Sequence, residues 1–273
     1  IINELTSRIE DLDSNINIRK FLHEYIPVFS FGTAIETFLK YVCQNIKKPV
    51  VLLIDEIDSL VGDSLISVLR QLRAGYDKRP GSFPSSVVLC GVRDIKDYRI
   101  QTSGQDIITG GSAFNIKAES LRLGNFSKED VINLYTQHTT ETGQKFEEAC
   151  FDLVMDYTDG QPWLVNALAY EVTYKMSENR DRTITITPQM LEIAKERLIL
   201  SRQTHLDQLA DKLKEDRVRR LILPMILGEE VEHNEDDANY CIDLGLVKRV
   251  KKGLQISNLI YREVIPRELT EVG

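Results

Sequence analysis

The amino-acid sequence predicts an α/β protein: a parallel sheet, then an all-helical stretch, then a C-terminal winged helix. Three observations carry that expectation. Val50 to Ile54 are five apolar residues in a row, as expected of a strand covered on both faces in a parallel sheet. A helix-period segment (Asp63–Arg79), a breaker cluster (Pro80–Pro84) and a second apolar run (Ser85–Val92) follow, and together they make a βαβ unit. From Phe126 to about Arg202 the apolar residues recur at helical spacing, and further on two short strands flank Lys252-Gly253.

In chain order, residues 2–12, 17–26 and 33–46 show helical spacing, with Ser30 or Thr33 as a cap for the third. The strand 49–54 comes next. In "DSLISVLRQLRAGYDKR" the residues Leu65, Val68, Leu69 and Leu72 share one helical stripe. Glycine-rich "TSGQDIITGGSAFNI" (Thr102–Ile116) predicts a mobile loop, and "AESLRL" (Ala118–Leu123) a third short strand. Ser127 and Asp130 stand at capping-box spacing. Pro188 sits where a first-turn proline starts a helix. Residues 204–227 again show helical spacing. Asp236 to Leu269 then reads as helix, turn, two-stranded wing and short helix.

With 42% hydrophobic and 28% charged residues, the 273-residue chain falls among ordinary globular proteins with ample core. No apolar run approaches the ~18 residues of a membrane-spanning helix, so no membrane partner is expected. The chain begins with Ile1 rather than Met and is expected to be a piece of a longer protein; a targeting segment is neither shown nor excluded. Cys43, Cys90, Cys150 and Cys241 are far apart in apolar surroundings, which predicts buried, reduced thiols in a cytoplasmic protein. Net charge is -8, and residues 195–273 hold fourteen basic against fifteen acidic residues. Bulk charge therefore argues against a nucleic-acid binder.

The chemistry concentrates at Asp55-Glu56. Acidic residues often end a strand only because the chain re-enters solvent. Here an apolar β-run, two adjacent carboxylates and a following helix coincide, as where P-loop NTPases hold Mg²⁺ with one acid and polarise the attacking water with the next.

With "VLLIDEIDSLVGDSLISVLRQLRAGYDKRP", "VVLCGVRDIKDY", "SAFNIKAESLRLGNFSKEDVINLYTQHTTETGQ" and "GQPWLVNALAYE", the chain resembles a bacterial AAA-like ATPase family from about Lys47 to Leu269. That family stands near the archaeal-type and STAND branch of the AAA+ superfamily, with origin-recognition initiators as distant cousins. The resemblance implies part of a P-loop NTPase sheet over 1–125, a helical lid over 126–202 and a winged helix over 203–273. It implies ATP and Mg²⁺ as cofactors, with Asp55 on the metal and Glu56 orienting water. It also implies Arg93 as the γ-phosphate sensor with Asp94 beside it, and Gly160 and Pro162 in a G-x-P turn that contacts nucleotide.

One departure stands out. No G-x-x-x-x-G-K-[ST] occurs in these residues, and "GTAIETF" (Gly32–Phe38) lacks its second glycine and its Lys-Ser/Thr. In the family that loop precedes the acidic strand, so it is expected upstream of Ile1. The expected function is a nucleotide-driven switch acting on a partner protein or attached domain, with this piece inactive on its own. Rival expectations are a non-enzymatic scaffold or signalling remnant and a component of a nucleic-acid processing system. Lys248, Arg249, Lys251 and Lys252 make the wing basic, but acidic "GEEVEHNEDD" precedes it, so DNA contact is possible and not favoured.

Overall fold

The computed structural model describes residues 18, 20–21, 32–60, 62–93, 100–101, 107–108, 119–201, 209, 211–229 and 234–271. The chain divides into two compact units, Ile1–Leu121 and Arg122–Gly273.

In the first unit, α1 (Ala34–Asn45) precedes β1 (Val51–Ile54), α2 (Gly62–Ala74) and β2 (Ser86–Leu89). β1 and β2 pair in parallel, Val51 opposite Ser86 through Ile54 opposite Leu89, which is the expected βαβ unit. One sheet face is packed. Leu52 is buried, and Ile54, Val87 and Leu89 pack partly buried against the core formed with Phe38, Leu39 and Val42 of α1 and Leu65, Val68, Leu69 and Leu72 of α2. The other face is open: Val51, Leu53 and Val88 are 55%, 68% and 42% exposed.

The N-terminus of α1 is not capped as the sequence suggests. Thr33 makes no side-chain cap bond. Instead, buried Gln71 of α2 accepts from the Ile35 amide at 2.8 Å and the Glu36 amide at 3.4 Å. Ser30 lies outside the described residues, as do the predicted helix 2–12 and most of 17–26. Of the predicted loop Thr102–Ile116, only residues 107 and 108 are described: β3 (Ile100–Gln101) pairs antiparallel with β4 (Ile107–Ile108).

In the second unit, α3 (Lys128–Thr142), α4 (Ala149–Thr158), α5 (Pro162–Tyr170) and α6 (Pro188–Leu200) form the helical stretch. α3 starts on the expected capping box, Ser127 and Asp130 bonding each other's amides. Ser127's hydroxyl and amide hold the Asp130 carboxyl below its ordinary range. Pro162 and Pro188 both occupy first-turn positions, with Gln161 and Thr187 supplying the caps. A π-turn (Glu171–Lys175) extends α5, and its buried Glu171 accepts from Arg197 of α6 at 2.7 Å.

Next come α7 (Asp216–Leu227), α8 (Glu235–Asp243), a hairpin of β5 (Val247–Val250) and β6 (Gly253–Ile256), and α9 (Leu259–Glu271). One continuous core joins all of this unit, from Val131 and Leu164 to Ile260 and Ile265. Burying each such side chain contributes roughly 1.5–3 kcal/mol.

Three further expectations need correction. The predicted helix 204–227 is interrupted at Lys214 and Glu215, where Glu215 turns extended at the head of α7 and its carboxylate meets Lys212 (2.7 Å) and the Tyr240 hydroxyl (2.8 Å). No strand forms among the described residues of Ala118–Leu123: Leu121 and Leu123 are 79% and 87% exposed, and a strand without a backbone partner has no reason to persist. Finally, Cys43, Cys150 and Cys241 are buried but Cys90 is exposed. Desolvation pushes the Cys43 and Cys150 thiols up to about 11 and Cys241 up to about 12, so burial keeps these three protonated.

Candidate functional site

The acidic pair stands where β1 ends. The parallel ladder continues past both strand tips: the Cys90 amide donates to Ile54 (2.8 Å) and the Ile57 amide donates to Cys90 (3.0 Å). Residues 55–58 are thereby stitched beside 90–91, at the C-terminal edge of the sheet, where α/β folds place ligands.

Glu56 then breaks the chain's direction. Its φ of 51° and ψ of 42° are left-handed, an uncommon conformation for a non-glycine residue that costs on the order of 1–2 kcal/mol. The Glu56 amide donates to Asp55 Oδ1 at 2.9 Å, which steadies that turn, and buried Ile57 anchors it from below. Both carboxylates are consequently turned out to solvent. Asp58, half-buried, lies against Gly91: a Cβ there would stand 3.1 Å from Asp58 Oδ1 and 3.1 Å from Ile57 Cγ2. The sequence shows Asp58 only as a third acid in the run, and its contact with the β2 end emerges from the fold.

Arg93 is half-buried, two residues beyond Gly91. Asp94 lies outside the described residues. Gly160 and Pro162 belong to the second unit, at the start of α5. Asp159 (φ 50°) and Gly160 (φ 72°) are consecutive left-handed residues there. The Phe126 amide donates to the Gly160 carbonyl at 2.8 Å, and a Cβ on Gly160 would meet the Phe126 carbonyl oxygen at 2.0 Å. The Gln161 side chain accepts from the Leu164 amide at 2.6 Å.

Around this turn sit contacts that the sequence reading did not assign. Asn125 Nδ2 donates to the Asp159 carbonyl at 2.8 Å, and Lys248 of β5 reaches Asp159 Oδ1 at 2.5 Å. The Asp159-Gly160 dipeptide was the available signal, as a turn marker.

Among the described residues no three His, Cys, Asp or Glu side chains gather as a metal cluster. An exposed pair of adjacent carboxylates suits Mg²⁺, which keeps several waters and takes one or two carboxylates plus phosphates. The carboxylates fit the metal's share of a nucleotide site. No glycine-rich, lysine-bearing loop in these 273 residues fits the phosphates' share. Among the described residues, no helix is long and apolar enough to cross a membrane.

Solved structures resemble the chain to different degrees. A Walker-type ATPase of Pyrococcus abyssi superposes with a TM-score of 0.53 at 14% identity, covering 97% of this chain and 78% of that one. The Thermotoga maritima RuvB Holliday junction branch migration motor gives 0.46 at 16% identity over 88% and 76% of the two chains. Cdc6p of Pyrobaculum aerophilum gives 0.43 at 16% over 93% and 75%. No curated protein matches the chain in sequence. The first of these likenesses shows an α/β fold of the P-loop NTPase kind, helix-rich with small sheets. The family model of the AAA-like domain matches residues 9–266, nearly the whole chain, which therefore belongs to the AAA-like domain family.

Proposed function

We propose that this chain is the metal- and water-handling part of an ATPase module that binds ATP with Mg²⁺ and uses hydrolysis to shift an attached domain or a protein partner. The observation that carries the reading is the adjacent pair Asp55-Glu56 at the C-terminal end of a parallel strand, stitched to the end of β2. In that reading Asp55 holds the metal, Glu56 orients the attacking water and Arg93, with Asp94, senses the γ-phosphate. Bound Mg²⁺ would supply the positive charge that lets two carboxylates stand beside a polyphosphate. Gly160 and Pro162 are assigned to nucleotide contact by family resemblance, and residues 126–202 and 203–273 to a lid and a winged helix.

In that reading the phosphates are held by a loop that these 273 residues do not contain. Calorimetric titration tests the division of labour. The 273-residue chain is expected to bind ATP-Mg²⁺ weakly or not at all, and a protein extended to include a Walker A loop at micromolar or tighter. Micromolar binding by the 273 residues alone overturns the division, and no binding by the extended protein overturns the ATPase reading.

A DNA-reading role for the β5–β6 hairpin finds little support. Lys248 is paired with Asp159, and Arg249 with Glu235 at 2.6 Å, which leaves Lys251 and Lys252 for phosphates. Two contacts correspond to a log–log salt slope of about -2. Binding to a labelled duplex is therefore expected to vanish near 150 mM salt, about physiological ionic strength. Submicromolar affinity at that salt, abolished by Lys251→Glu/Lys252→Glu, would instead establish the hairpin as a DNA reader.

A further inference from the structure

We propose that Asp159 and Lys248 form a latch that makes the turn ahead of α5 and the β5–β6 hairpin open as one cooperative element. The inference holds whether or not the module binds nucleotide.

The two residues are 89 apart in sequence, yet Lys248 Nζ lies 2.5 Å from Asp159 Oδ1. Strand alternation sends successive β5 side chains to opposite faces. Lys248 goes to the turn, and Arg249 goes to α8, where it meets Glu235 and Asn239 (3.0 Å). The hairpin is thus tied on both sides, in addition to the Val247 and Ile256 side chains buried in the unit's core.

The turn end of the tie is equally constrained. Asp159 is left-handed, its amide donates to Met155 at 2.7 Å and its carbonyl accepts from Asn125. Phe126, the next residue, bonds Gly160, while Arg122 at the head of the same segment donates to the Ile242 carbonyl of α8 at 3.3 Å. The contacts close a ring: hairpin, Asp159, the 122–126 segment, α8 and back to the hairpin. Lys248–Asp159 is the ion pair in that ring that ties hairpin to turn. Its side chains are 37% and 36% exposed, so its effect is small and salt-sensitive, as a releasable tie requires.

Hydrogen exchange on the full chain tests the latch. Lys248→Met and Asp159→Asn are each expected to speed exchange about 2- to 5-fold, the range of an exposed ion pair, both at the β5–β6 amides and at the Gln161, Leu164 and Val165 amides. The double variant should go no further than either single one. In about 1 M salt, where the screening length is about 3 Å, the difference in rates between wild type and Lys248→Met should shrink, because salt weakens the pair that the substitution removes. Additive effects of the two substitutions, or effects confined to the element carrying the substitution, would overturn the latch.

Discussion

Glu56→Gln, placed in a protein that also carries a phosphate-binding loop, should slow ATP hydrolysis by about 10²–10⁴ while leaving ATP affinity nearly unchanged, the range a positioned general base contributes. The substitution keeps side-chain length and hydrogen-bonding capacity and removes only the carboxylate that polarises water. The left-handed backbone at position 56 and the Asp55–Glu56 amide bond involve no atom of the Glu56 carboxylate, so the turn should survive the change. A single-turnover assay beside equilibrium binding separates the outcomes. Unchanged turnover would reassign Glu56 to a structural role, and loss of binding together with turnover would mean that the turn itself was disturbed.

Gly160→Ala should be the most damaging glycine-to-alanine change among the described residues of the second unit. Its Cβ would sit 2.0 Å from the Phe126 carbonyl oxygen and 3.0 Å from the carbonyl carbon, both backbone atoms. It would also impose a left-handed φ of 72° on alanine, on the order of 1–2 kcal/mol. Relieving the clash breaks the Phe126–Gly160 hydrogen bond, about 1 kcal/mol more. The expected destabilisation is about 2–4 kcal/mol, which for a unit of this size lowers Tm by about 5–15 °C. Gly143→Ala is the control: φ is 79° there, but nothing lies within 4 Å of the added Cβ. Thermal denaturation in which the two variants lose the same stability would refute the close approach at Gly160.

Much of the fold follows from signals that act over a few residues. The apolar run before Asp55, the breaker at Pro80–Pro84 and the second run after Ser85 specify a strand, a helix and a strand, and these pair in parallel. Ser127 with Asp130, Pro162 and Pro188 mark helix starts because each satisfies or removes a donor within its own first turn. The position of Asp55-Glu56 was legible to the same depth. Two carboxylates after an apolar strand are a local pattern, and the chain order alone places them at the sheet's ligand edge.

What tertiary structure alone decided depends on partners remote in sequence. The α1 cap comes from Gln71 rather than Thr33, because only packing brings the α2 amide to those orphan donors. The helix predicted over 204–227 breaks at Glu215, whose carboxylate is held by Tyr240, 25 residues away. Among the described residues 119–123 no strand forms, and Arg122, Asn125 and Phe126 serve Ile242, Asp159 and Gly160 instead. The left-handed turn at Glu56, the contact of Asp58 with Gly91 and the reach of Lys248 to Asp159 belong to the same class. Sequence patterning records where a residue's neighbours along the chain want it, whereas these features are set by whichever distant backbone or charge the packed core delivers to it.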